Sequence, residues 1–284
     1  GGGFMKIPLI IFTLVLLLGC QTEPTEIISH NFKQGYSGVT ISFLDNAPPA
    51  QIYPNSDFNI MIMLENDGAY DVMDGKVTLL GLEDTYFSIT PLERDFDGLL
   101  GRTLTNPAGD QMILAFQGRS GNLFQNADHY SNNYFVDLSY DSSLEFSDTI
   151  CINYNLYSTY DQGCEINEKN YNGQGAPLAV TNLQQIVSPG IGMEFRLILE
   201  NKGRGKVGEV LLRRARLGGE PIECQFQNEV ANLRRTRFMF DEMEKTVLCK
   251  SPPATTTTSY TTTFSVDFDY GYSLVQQENL YLLR

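Results

Sequence analysis

The sequence predicts an all-β protein: two tandem antiparallel β-sandwich domains, preceded by a signal peptide and a flexible tether. Three observations carry that expectation. Apolar and polar residues alternate in short runs from Val39 onward. Turn residues separate those runs at roughly 8–12-residue intervals, the spacing of a sandwich. Stretches with a helical period are few.

Residues 1–19 read as the signal peptide. The apolar run 7–18 is twelve residues long and broken only by Pro8 and Thr13, whereas a membrane-crossing helix needs about 20. It suits the core of an export signal, with Met5-Lys6 as start and positive flank and residues 1–4 upstream. Leu17-Leu18-Gly19-Cys20 resembles a lipobox, in which the thiol after a small residue takes a diacylglyceryl group. Lipidation of Cys20 would fasten the chain to the outer face of the cell membrane, outside the cell, at about 0.8 kcal/mol per buried methylene. The rival reading is an uncleaved apolar anchor with an incidental cysteine. Residues 20–37 then form the tether, since QTEPTEIISHNFKQGY has no sustained period.

The first sandwich is expected over 38–172. GVTISF alternates, Pro48-Pro49 makes a turn, and FNIMIMLENDG brings Phe58, Ile60, Ile62 and Leu64 to one face before Asn-Asp-Gly ends it. GKVTLLGL, QMILAFQG, YFVDLSY and TICINYNLY continue the pattern, with turn signals at Gly81, Asn106-Pro107, Gly118 and Asn132-Asn133. The boundary is placed where glycine and proline cluster in YNGQGAP, and the second sandwich over 173–284. There ARLGGEPIECQF reads as strand, turn and strand, and TRFMF, DEMEK and TVLCK as a hairpin. NEVANLRR fits one short helical turn instead. In TTTTSYTTTFSVDFDYGYSL the β-branched threonines and the alternation Phe264, Val266, Phe268, Tyr270 indicate a late strand. O-glycosylation of Thr255 to Thr258 stays open.

The second half repeats the first. IMIMLENDG at 60–68 matches FRLILENKG at 195–203, an offset of 135, and VDLSY at 136–140 matches VDFDY at 266–270, an offset of 130. Duplication of one unit accounts for both, with chance as the competitor.

With Cys20 set aside, Cys151, Cys164, Cys224 and Cys249 remain, an even number that favours two disulfides in an exported chain. Sequence neighbours give 151–164 and 224–249 among three pairings. A tetrathiolate metal site ranks below, because no Cys-x-x-Cys spacing is present. Charge is lopsided: residues 21–175 hold 6 Lys+Arg against 22 Asp+Glu, a net of −16, and residues 176–284 hold 13 against 12, a net of +1. That balance excludes nucleic acid as a partner.

Each candidate site has a plain alternative. His30 lies in the tether and His129 in a polar loop, so neither offers a histidine-dependent catalytic site. A carboxylate pair for hydrolysis is recognised by separation in space, which sequence does not supply. Asn66, Asp67, Asp71 and Asp74 share one turn and offer hard oxygen ligands to calcium, yet Asn and Asp are ordinary turn residues off the EF-hand spacing. Arg213, Arg214 and Arg216, then Arg234, Arg235 and Arg237, are two basic clusters that fit either solvated strand faces or docking against an acidic partner. ENKGRGKVGEV lacks the Lys-Ser/Thr ending and the helix of a phosphate loop and reads as a β-turn.

GVTISFLDNAPPAQIYPNSDFNIMIMLENDGAYDV, GQGAPLAV, FRLILENKGRG and SYTTTFSVDFDYGYSL resemble exported surface proteins of small-genome, nanoarchaeal-type archaea. The strand followed by Asn-x-Gly resembles the CARDB-type immunoglobulin-like modules of prokaryotic surface proteins. The resemblance implies tandem immunoglobulin-like sandwiches and a cell-surface role without catalytic residues. One departure is Leu138-Ser139, where a cysteine would be expected near the Tyr140 strand. The expected function is a lipid-anchored structural, adhesion or binding protein that meets a surface protein or glycan through loops or sheet edges. A carbohydrate- or calcium-binding lipoprotein and a secreted hydrolase are the alternatives.

Overall fold

The computed structural model describes residues 31–284 except 125, 155–162, 189–191, 228–235, 241 and 254–258. All regular structure in them is extended, and it forms three antiparallel sheets. The cause is the alternation itself. In β2 (Asp57–Asn66) every second side chain, from Phe58 to Asn66, is buried while the others face outward.

A four-stranded sheet runs in the order β1 (Val39–Phe43), β2, β6 (Gln111–Ser120), β4 (Phe87–Ile89). A five-stranded sheet runs β13 (Glu223–Phe226), β15 (Glu244–Lys250), β10 (Gly192–Asn201), β9 (Leu178–Ser188), β8 (Lys169–Asn170). The third sheet draws on both halves of the chain. Its order is β12 (Glu220–Pro221), β11 (Lys206–Leu217), β16 (Tyr260–Leu283), β7 (His129–Ile152), β3 (Val72–Leu80), β5 (Glu93–Leu99), with β14 (Arg237–Met239) also on β11.

β7 and β16 organise that sheet. Each is 24 residues long, and they pair along their whole length, from Ile152 opposite Tyr260 to His129 opposite Leu283. At about 3.3 Å per residue the ladder spans on the order of 80 Å. The two strands expected within β7 are thus one. Asn132, expected in a turn, is buried instead, donating to the carbonyls of Gly81 (2.9 Å) and Asn133 (2.8 Å) and accepting from Glu83 N–H (2.8 Å). Gly118 also lies inside a strand: it faces Phe58, and a Cβ there would come within 2.5 Å of the ring. That glycine makes room for an aromatic side chain and marks no turn.

The halves are built alike. Asn66, ending β2, donates Nδ2–H to Tyr70 O (3.0 Å) and accepts Gly68 N–H at Oδ1 (3.0 Å). Asn201, ending β10, donates to Gly205 O (2.9 Å) and accepts Gly203 N–H (3.1 Å), the same two contacts at the matching positions of the repeat. The Asn-x-Gly motif is therefore a side-chain clasp on the turn that leaves the strand. The pairs Val77–Leu138 and Leu212–Phe268 correspond likewise, their members related by the two offsets read from the sequence. Asp141 pairs with Gly271, its own counterpart in the second half, so corresponding positions meet at the middle of the ladder about a local two-fold axis.

Beyond that axis each long strand serves the other half. β3 pairs with β7 only along 135–142, and β11 with β16 only along 264–273. Residues 274–283 of β16 run beside the first part of β7 and bury Leu280 and Leu282 on its inner face. That face meets the four-stranded sheet, where Phe87 contacts Phe58 edge-on at 5.9 Å and Tyr130 of β7 at 6.2 Å. The far part of β7 does the reciprocal. Phe146 meets Tyr171 at 4.9 Å and Phe264 at 6.3 Å, and Phe264 stacks on Phe195 of β10 at 4.8 Å.

Phe32–Arg284 form one compact unit. Residues 32–37, assigned by sequence to the tether, are held on it. Gly35 donates to Asn172 O and accepts from Gly175 N–H, each at 2.9 Å, and Arg102 lies over the Phe32 ring at 5.3 Å. The small residues of both segments permit that close approach. The segment 171–177, where sequence places a domain boundary, lies within this one unit.

Candidate functional site

Two disulfides join Cys151 to Cys164 and Cys224 to Cys249. The second links directly opposed residues of β13 and β15. No thiol among these four is left for a tetrathiolate metal site.

The outer face of the third sheet is polar, because odd-numbered residues of β7 point away from the core. A groove of about 950 Å³ crosses it near the two-fold axis, lined by Lys33, Tyr70, Glu145, Glu209, Arg213 and Asp269 among others. Six of its eight charged residues form ion pairs, and Asp71 and Asp141 form none among the described residues. Lys33 Nζ lies 2.8 Å from Glu145, Arg213 lies 3.4 Å from Asp269, and Arg237 lies 3.5 Å from Glu209. The Lys33 hydrogen bond outweighs burial and holds the Glu145 carboxyl below the usual range. Asp141, on the axis, is raised, first by burial and then by repulsion from Asp74 and Asp269.

The four calcium candidates occupy different settings. Asn66 is turned inward by its clasp and also donates to Leu99 O at 3.0 Å. Asp71 accepts Gly101 N–H at 2.8 Å, and Asp74 is exposed in the left-handed region with φ 44°. Burial, and then Glu65, raise the Asp67 carboxyl. Among the described residues no group of three or more His, Cys, Asp or Glu is arranged to hold a metal ion.

Of the first basic cluster, Arg213 and Arg214 meet acids on β16. Arg214 Nε lies 2.7 Å from Asp267, a carboxylate only 5% exposed. Arg216 is exposed. In the second cluster Arg237 opens β14, while Arg234 and Arg235 lie outside the described residues, as do Cys20, His30, Thr255 to Thr258 and the NEVANLRR segment. His129 is exposed, though it begins β7 and is not in a loop.

Asp148 of β7 is a further polar centre that sequence did not single out. Burial pushes its carboxyl up, but hydrogen bonds from Lys169 Nζ (2.8 Å), Tyr171 Oη (2.7 Å) and Thr149 N–H (2.7 Å) outweigh burial and hold it below the usual aspartate range. A carboxyl lowered by folding adds stability above its unfolded pKa of about 4, and that contribution disappears as pH falls through the lowered folded value. Asp148→Asn is therefore expected to be less stable than wild type at pH 7, with the deficit shrinking below about pH 4. Urea denaturation followed by circular dichroism at both pH values measures it. Equal deficits at both would count against the role assigned to Asp148.

A second groove, of about 780 Å³, runs between β1 and residues 274–277 of β16. Neither strand edge has a local sequence signal, because the groove arises only when β16 crosses into the first half.

No family model and no curated protein matches the chain. Solved structures give distant likenesses. The Escherichia coli chaperone DraB is 12% identical with a TM-score of 0.22, over 77% of this chain and 88% of that one. A Salmonella enterica SafA pilin complex with the SafB chaperone is 11% identical with a TM-score of 0.21, over 77% and 85%. The secreted serine protease VesC of Vibrio cholerae is 13% identical with a TM-score of 0.21, over 85% and 51%.

Proposed function

We propose that this protein is a lipid-anchored, extracellular adhesion or binding protein without catalytic activity. Two copies of an immunoglobulin-like sandwich act as one stiff spacer that meets partners through loops and sheet edges. The observation that carries this reading is the 24-residue ladder of β7 on β16. It ties the two halves together along its length and leaves strand edges available at its flanks. The two disulfides support an oxidising, extracellular compartment. A hydrolase is less favoured, since three of the five carboxylates that line the central groove, Glu145, Glu209 and Asp269, are each held by a cation.

The anchor is tested on protein expressed from Met5 in its native cells. Mass spectrometry is expected to find a mature chain that begins at a lipid-modified Cys20, and the protein should partition into detergent. Cys20→Ala should move it to the aqueous phase. An intact leader on the wild-type chain refutes the anchor.

A further inference from the structure

β1 and β9 are corresponding strands. Val39 faces Asn66 as Leu178 faces Asn201, and Ile41 faces Leu64 as Val180 faces Leu199, so Val39 matches Leu178 and Ile41 matches Val180. Asp67 N–H donates to Gly38 O as Lys202 N–H donates to Pro177 O. Alternation along an antiparallel pair then turns the N–H and C=O of Ile41 and of Val180 away from β2 and β10, toward the outer edge.

At Val180 one side chain satisfies both groups. Gln174 Oε1 accepts the N–H and Nε2 donates to the C=O, each at 2.9 Å. That carboxamide does what the peptide group of a neighbouring strand would do. In the same register the counterpart of Gln174 is Gly35, which has no side chain and only open space where a Cβ would stand. Among the described residues β1 is the edge of its sheet, so Ile41 presents its peptide groups to the groove without an equivalent partner.

The opposite wall is also a strand edge. Tyr281 O accepts Ile52 N–H and Leu283 N–H donates to Ile52 O, which places the peptide groups of odd-numbered residues on the side of β16 away from β7. Pairing with β11 ends at Ser273, so Val275 and Gln277 direct theirs toward the groove. The charged residues that line it are Lys202 and Arg204, both cations in a chain of net charge −14. Lys202 is paired with Glu200, while Arg204 has no ion pair among the described residues.

We infer that this groove accepts an extended, acidic peptide segment of a partner protein, which pairs with Ile41 through its backbone and places a carboxylate at Arg204. Main-chain pairing supplies affinity and the cation supplies selectivity. The volume falls within the roughly 300–1,000 Å³ of ordinary ligand sites. The inference rests on the reading above that partners are met at sheet edges.

The test is a displayed library of random peptides about eight residues long, a reach that suits strand addition. Enriched sequences are expected to carry Asp or Glu at one position of an alternating pattern. A selected peptide, synthesised and labelled, should bind at least about tenfold more weakly to Arg204→Glu, the loss of one charge-assisted contact. Ile41→Pro, which removes the outward N–H at an edge position that tolerates proline, should weaken it comparably. N-methylation of alternate peptide amides should do the same on the wild-type protein, so the result does not depend on either variant folding. Absence of enrichment, or equal binding by all of these, overturns the site. Peptides that bind another strand edge would overturn this groove while leaving recognition at edges intact. Concentration-dependent dimers in sedimentation that vanish in Arg204→Glu would make a second copy the occupant and overturn the separate partner.

Discussion

Replacing both Leu280 and Leu282 with alanine is expected to unfold the first half of the protein, although both residues belong to β16, far from that half in sequence. Each is fully buried on the inner face of β16, in register with Asn132 and Tyr130 of β7. Truncating a buried leucine costs about 2–5 kcal/mol, the lost transfer energy plus the cavity left behind. Two such losses are comparable to the roughly 5–15 kcal/mol that holds a typical domain folded. Hydrogen exchange should report where the damage falls. Amides of β2 and β6 are expected to lose protection before those of β10 and β15. The reverse order, or a midpoint near that of wild type, would contradict the exchange of strands between halves.

Reducing the two disulfides is expected to produce the other large effect. Their cysteines are separated by 13 and 25 residues. Restricting loops of that size in the unfolded chain stabilises the native state by about 3 and about 3.5 kcal/mol in the chain-entropy model. The Cys151→Ser/Cys164→Ser and Cys224→Ser/Cys249→Ser variants separate the two contributions, and combining them should cost on the order of 6 kcal/mol. Urea midpoints followed by circular dichroism give the values. A combined loss below about 1 kcal/mol would show that neither bridge constrains the unfolded state as argued.

The all-β character was legible because burial of one face enforces a period of two, as in Phe58, Ile60, Ile62 and Leu64. The repeated Asn-x-Gly was legible as a pattern but not as a clasp, since a hydrogen bond from Asn66 to Tyr70 O leaves no periodic trace. The same Asn and Asp residues therefore left calcium binding as an alternative to the ordinary turn reading. The length of β7 was hidden for a related reason. Asn132-Asn133 carries the composition of a turn, and burial of Asn132 is tolerable because Gly81 O, Asn133 O and Glu83 N–H satisfy its carboxamide. The ion pairs of Arg213 and Arg214 were not legible because their acids, Asp269 and Asp267, come from a strand far along the chain. The Gln174 carboxamide was missed although its partner is close by in sequence, for GQGAPLAV has no alternation to say which groups face outward.

The crossing of β16 into the first half also sets an order of events at birth. The chain up to Ile152 contains every strand of the four-stranded sheet, yet Leu280 and Leu282, which finish its hydrophobic interior, have not been synthesised when that point is reached. At about 5–20 residues per second the wait is on the order of ten seconds. During that interval the inner face of the four-stranded sheet lacks the apolar cover that Leu280 and Leu282 supply. Completion of either half therefore awaits arrival of β16, and the two should mature together rather than one after the other.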